Sequence, residues 1–251
     1  MNTDLMDVFT QISGWLPMLS ASADAAAQTA DPPNALEQII GWLPVLFKAT
    51  GTTLGLTVTA VLTALVISVF LALGKISRRK IISFPATAYV FFFRGTPLLM
   101  QLFFVYYTLP LIVPAFTIND RFTAAYIAFS LNVAAYLAEI IRAAIQSIDK
   151  GQMEAAVSLG LSYGQAMRLV VIPQAYRRMI PPVCNEFVMV LKDTSLVSII
   201  ALTDLTFQTK MIASNKASAL VYIPAMGIYL ILTAVFTIAF NRLEKKLSVY
   251  E

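Results

Sequence analysis

Between Lys48 and Lys75 the chain carries no charged residue. The run from Ala49 to Gly74 exceeds the ~20 apolar residues that a helix needs to cross a bilayer. In hydrocarbon every backbone N–H and C=O must be satisfied within the protein, which leaves helices and closed barrels as spanning structures. The rest of the sequence agrees with a helical membrane protein: 58% of residues are hydrophobic and only 13% charged, against ~25% charged in ordinary soluble domains. A single cysteine, Cys184, and no histidine remove most metal, disulfide and nucleophile chemistry. Neither a catalytic residue nor a metal site is expected, and the net charge of +4 is read through the position of each cation relative to the spans and not as a nucleic-acid surface.

That position is one-sided. Spans are expected at about 51–74, 84–108, 122–145, 180–202 and 217–241. Of the 18 Lys and Arg residues, twelve fall in the segments that follow the first, third and fifth spans or, for Arg142, in the last turn of the third: 75, 78, 79, 80, 142, 150, 168, 177, 178, 242, 245 and 246. Lys48, Arg121, Lys210 and Lys216 lie on the other side. The positive-inside tendency therefore predicts five transmembrane helices, with the amino terminus outside and the carboxyl terminus inside. Residues 1–43 form a non-cytoplasmic extension ahead of the transmembrane domain, 44–251. It has neither the basic start nor the apolar run of a secretory signal. It does hold a local echo, in which Gln11, Ile12, Gly14, Trp15, Leu16 and Pro17 recur as Gln38, Ile39, Gly41, Trp42, Leu43 and Pro44. Both copies read as short amphipathic pieces suited to an interface.

The second span is interrupted by Arg94, Gly95, Thr96 and Pro97. The residue before a proline avoids helical geometry, so a broken helix is expected, with Thr96 as N-cap and Pro97 opening the next piece. Broken membrane helices aim free amides at anionic groups. That places a carboxylate near Thr96, with Gln101 one turn deeper; a gating kink without ligand contact is the alternative. In the third span Asn132, Tyr136 and Glu139 share one face. In the fourth, Glu186 and Asp193 are seven positions apart and also share a face. Ionisable groups in a span are costly and usually face a cavity or a partner. Arg94, Glu186 and Asp193 are candidates for the substrate path with Thr96, Gln101 and Asn132. Glu186 would receive an ammonium group; pairing with Lys192 or Arg94 that only fixes packing is the alternative. Lys192 and Asp193 lean toward a structural part, and Glu139 with Arg142 toward a structural or gating pair.

Residues 146–179 form the one long polar interruption. Glu154 to Leu159 favours helix, Gly160 can end it, Ser162 can N-cap the next piece and Pro173 is expected to terminate that. The result is a compact knob suited to docking in a groove on a soluble partner; a plain solvated loop is the alternative.

In this position, Glu154, Ala155, Ala156, Gly160 and the ending Val170, Ile172, Pro173 resemble the EAA loop of bacterial ABC importer permeases, with Val170 and Ile172 in place of the usual Ile and Leu. Phe93 to Pro97 with Gln101, then Tyr136, Glu139, Arg142, Gly151 and Gln152, then Asn185, Glu186 and Lys192 to Leu196 resemble the polar amino acid subfamily, the histidine, arginine and glutamine permeases. The resemblance covers about residues 49–247. It implies an all-α membrane fold of the type I importer, MetI-like kind. It also implies a second permease subunit (identical or paralogous), ABC ATPase subunits that accept the EAA helix, and a periplasmic or tethered amino acid binding protein. ATP and magnesium would bind the ATPase and not this chain, which has no GxxxxGK[ST] pattern. The expected function is import of a polar, cationic amino acid such as arginine, lysine, histidine or an opine across the inner membrane. Glutamine or another neutral polar amino acid is the alternative within the class, and an ATP-independent secondary transporter the alternative outside it.

Overall fold

The computed structural model describes residues 35–247; the extension before Ala35, with the first copy of the echo, lies outside them. Helix α1 (Ala35–Ile76) is followed by α2 (Lys80–Gly95) and α3 (Leu98–Ile112), which meet at 104°. Then come α4 (Arg121–Gln146), α5 (Lys150–Ser158), α6 (Tyr163–Ala166), α7 (Ile172–Asp193), α8 (Leu205–Lys216) and α9 (Tyr222–Leu247). Among the described residues α1, α4 and a helix over Ala219–Lys246 are long and apolar enough to cross a membrane, and the bent pair α2–α3 makes a fourth. The fourth expected span, 180–202, falls on the second half of α7 and the 3₁₀ segment Thr194–Ile200, and α7 is not among the described helices long and apolar enough to cross.

Helix α4 is the axis of the bundle, packed along α1 and touching α2, α3 and α7. Its buried face is made of small residues, Ala124, Ala125, Ala128, Ala134, Ala135 and Ala138, and α1 answers with Ala60 and Ala64. Small side chains let membrane helices approach closely, which replaces the hydrophobic drive that lipid does not supply. Phe129, Val133, Leu137, Leu56, Leu102 and Val190 fill the same core. Large apolar side chains elsewhere point outward, including Phe70, Ile81, Phe84, Met226 and Leu230, as expected where the surrounding solvent is acyl chain.

Several local expectations are corrected. The second echo copy is continuous with the first span, because α1 runs through Pro44; Trp42 packs with Leu46, Leu205 and Val221. Pro173 does not end its helix. A π turn at Met167–Val171 passes the chain from α6 into α7, whose first residues include Pro173. The missing proline N–H falls where the ladder is already re-registered, so no bond is broken. Pro181 and Pro182 likewise lie inside α7 and do not begin it. The outer loop after the second span is helical to Ile112. Asp120 then caps α4, accepting from the amides of Phe122 at 3.3 Å and Thr123 at 2.8 Å. The polar segment after the fourth span forms α8, whose N-cap Asp204 is fully buried.

Candidate functional site

The break between α2 and α3 is held by side chains from within the chain. Thr96 does not cap α3. Its hydroxyl donates back to the Phe92 carbonyl at 2.8 Å, closing the end of α2, and Pro97 occupies the N-cap position. Gln101 reaches back across the break: its Nε2 lies 2.9 Å from Phe93 O, 3.0 Å from Thr96 O and 2.7 Å from Thr96 Oγ1. Asn132 on α4 completes the clamp, donating to Phe93 O at 3.1 Å and to Gln101 Oε1 at 2.9 Å. Carbonyls orphaned at a helix end need partners, and two buried amides supply them here. Gln101 is thereby turned into the break, while Asn132 serves the clamp and also borders open space.

That space is a cavity of about 340 Å³ lined by the break (Arg94 to Leu98), by α4 (Phe129, Asn132, Val133, Tyr136) and by α7 (Glu186, Met189, Val190, Asp193). Its size falls within the ~300–1,000 Å³ usual for small-molecule sites. Arg94 enters from the last turn of α2, where a cation suits the helix dipole, and its guanidinium lies 5.3 Å from the centroid of the Tyr136 ring, a cation–π arrangement that fixes its direction. Glu186 and Asp193 enter from α7 on the opposite wall. Among the described residues none of these three charges is in an ion pair; the pairs found are Glu139 with Lys75 and with Arg142. Arg94 and two acidic side chains thus line one cavity from different elements, with no ion pair between them. Of the six expected path residues, the structure brings five to the cavity wall and sets Gln101 behind it.

Two sequence signals were missed. Phe129 and Val133 extend the Asn132–Tyr136 face of α4 by helical spacing and form the apolar wall. Lys75, whose ammonium lies 2.6 Å from the Glu139 carboxylate, is too distant in sequence from its partner for any local pattern to show. The Lys75, Glu139 and Arg142 cluster lies beyond the cavity along α4, on the side of the exposed corner.

The knob is built as an exposed corner. Asp149 caps α5, accepting from Gly151 N at 2.6 Å. At the other end Leu161 N donates to Ala156 O at 3.2 Å and Gly160 N to Val157 O at 2.9 Å, the Schellman pattern, with Gly160 at φ +88°. Ser162 and Gln165 close a reciprocal capping box on α6. Ala156 is buried while Glu154, Ala155, Val157 and Leu159 are exposed, so the acid and the apolar groups face outward together. The corner is tied to the bundle by an apolar cluster of Ala144, Ile148, Val171 and Ala175 and by Arg178, which donates to Ser147 O at 2.6 Å.

Charges this costly in a membrane persist where they line a path, and fold and cavity together define the pathway subunit of a membrane transporter. The family model described as "Binding-protein-dependent transport system inner membrane component" matches residues 64–249. The probable amino-acid ABC transporter permease protein PatM of Vibrio harveyi is 40% identical over 80% of this chain and 92% of its own. The arginine transport system permease protein ArtQ of Bacillus subtilis (strain 168) is 39% identical over 78% and 89%. The glutamine transport system permease protein GlnP of Escherichia coli (strain K12) is 36% identical over 82% and 94%. Among solved structures, an amino acid ABC transporter crystallised with histidines superposes with TM-score 0.79 at 38% identity, over 83% of this chain and 97% of that one. The MetNI methionine ABC transporter, at 18% identity and TM-score 0.72 over 83% and 98%, shares the fold. The chain belongs to this family, as an inner-membrane ABC importer permease of the polar amino acid kind that its motifs resemble.

Proposed function

We propose that this chain forms half of the translocation pathway of an ATP-driven importer for a polar amino acid with a cationic side chain. The observation that carries the proposal is the cavity at the break. Arg94 and the first amides of α3 suit an α-carboxylate, and Glu186 and Asp193 across the cavity suit the α-ammonium and a second cationic group. Relatives named for arginine, cystine and glutamine transport are 39%, 37% and 36% identical, so overall similarity does not choose a side chain; two acidic side chains on the cavity wall, neither in an ion pair among the described residues, support a cationic one. The exposed corner, with Glu154, Ala155, Ala156 and Gly160, docks an ABC ATPase that binds ATP and magnesium, and Pro173 lies just beyond it at the start of α7. A second permease subunit and a periplasmic or tethered binding protein complete the assembly. The one-sided cations support five spans, outside start and inside finish. Transport without ATP finds no support, since the relatives are named as components of ABC transporters.

The test is uptake into proteoliposomes holding the complete complex. Removing one charge-assisted hydrogen bond costs ~1.5–3 kcal/mol, so Glu186→Gln is expected to lower arginine uptake relative to glutamine by roughly 10-fold or more. An unchanged ratio refutes the assignment of Glu186 to the substrate.

A further inference from the structure

A second cavity lies at the joint of the exposed corner, away from the break. A space of about 620 Å³ lies between the end of α1, the end of α4 and the α6–α7 turn, with an aliphatic wall of Ile76, Ile145 and Ile172 and a polar side of Ser77, Arg78 and Tyr163. Three features give it chemical character. First, Arg78, Arg79 and Lys80 follow one another and are exposed, and among the described residues their side chains make no hydrogen bond or ion pair, whereas Lys75 is already committed to Glu139. Second, the cavity sits where α1 leaves the apolar run, and the helix that follows begins with Ile81 and Phe84, 85% and 76% exposed, side chains that belong in acyl chain. Third, one wall is the joint between the docking corner and α7.

From this we propose that the space is a binding site for an anionic phospholipid. Its phosphate sits against Arg78, beside the exposed Arg79 that follows it, and an acyl chain runs along Ile76, Ile145 and Ile172, so that the lipid braces the joint of the exposed corner. A basic cluster immediately cytoplasmic of a span recognises anionic headgroups, each Lys or Arg near the surface contributing ~1 kcal/mol. The aliphatic wall selects an amphiphile over a soluble anion. The proposal rests on the cytoplasmic placement given above. A cysteine at Ser77 labelled from outside fails that placement, and the lipid measurement below still stands or falls on its own.

The purified complex, delipidated and exposed to dioleoylphosphatidylglycerol or dioleoylphosphatidylcholine, is read by native mass spectrometry for bound lipid. Retention of phosphatidylglycerol over phosphatidylcholine is expected. It should fall roughly 30-fold in Arg78→Gln/Arg79→Gln, and should also fall in Ile172→Trp, which fills the cavity and keeps every charge. Arg242→Gln/Lys246→Gln, which removes two cations elsewhere on the same side, should leave it unchanged. Equal retention of the two lipids, or equal loss in the Arg242/Lys246 variant, overturns the site in favour of unspecific surface charge. Displacement by inorganic phosphate overturns the lipid in favour of a soluble anion. Loss of ATPase from lipid-free Arg78→Gln/Arg79→Gln complex overturns it in favour of a protein partner.

Discussion

The clamp at the helix break makes a prediction whose sign depends on which atoms donate. Gln101 is buried, and its Nε2 carries two protons for three oxygens, at 2.9, 3.0 and 2.7 Å, so at most two full bonds are donated. With the bond accepted from Asn132 at 2.9 Å the side chain contributes about three. Side-chain bonds between membrane helices average ~0.6 kcal/mol and reach ~1.7, which gives on the order of 2 kcal/mol. In Gln101→Leu the Thr96 carbonyl is also left without a donor, which adds ~1–3 kcal/mol. The loss expected in equilibrium unfolding in mixed micelles is therefore about 3–5 kcal/mol. Gln101→Glu, of the same size, should be worse at neutral pH, because an acceptor then faces three acceptors. Asn132→Leu combined with Gln101→Leu should show a coupling of about 1 kcal/mol. Gln101→Glu as stable as wild type, or strict additivity of the two Leu variants, would refute the clamp.

Other expectations follow from single positions. Gly160 has open space around its Cα but φ +88°, so Gly160→Ala isolates backbone strain of ~1–2 kcal/mol and should weaken ATPase capture roughly 10-fold, with Gly160→Asn milder; capture equal to wild type excludes the need for this cap. Asp204, outside the spans, has its carboxyl pushed up to about 6 chiefly by burial, against hydrogen bonds from Phe207 and Thr206. Below pH ~4 the group is neutral in both states; as pH rises to ~6 the unfolded chain ionises first, so stability falls by about 3 kcal/mol between pH 4 and 7. Asp204→Asn keeps the cap and should flatten that slope, and an unaltered slope assigns it to another group. Leu169→Gly/Val170→Gly in the π turn, costing about 1–2 kcal/mol of helix propensity, should lower uptake per ATP hydrolysed without releasing the ATPase; an unchanged ratio means that the turn transmits nothing.

What could be read from sequence was whatever a short window determines. Gly160 and Ser162 announce their caps because each acts within four residues. The shared faces of Asn132 with Tyr136, and of Glu186 with Asp193, follow from helical period alone. The errors have one cause, a local rule overruled by a partner or a re-registered ladder. Thr96 before Pro97 looks like an N-cap, but Gln101 and Asn132 bring donors to the end of α2 and the hydroxyl turns backward. Pro173 looks like a terminator, but the π turn at Met167–Val171 has already shifted the ladder. Lys75 and Glu139 meet only because α1 and α4 pack side by side.

The error at Pro173 changes the mechanics. A helix that ended there would hang the docking corner on a flexible joint, and movement of a bound ATPase would be absorbed before it reached the membrane. Instead residues 163–193 form one nearly continuous rod. At 1.5 Å per residue, Tyr163 and Glu186 stand about 35 Å apart along it. The rod carries the docking corner at one end and two carboxylates of the cavity toward the other, while Arg94 and the clamped break belong to α2, α3 and α4. On the proposed function, a displacement of the corner along this rod would shift Glu186 and Asp193 relative to Arg94, which belongs to α2. Changing the separation of opposite charges across a site changes its affinity for a zwitterion steeply, since the Coulomb interaction scales inversely with distance in a medium of low dielectric. On the proposed function, two elements that hold opposite charges, one of them attached to the exposed corner, would let ATP-driven motion at a distance convert a binding cavity into a releasing one.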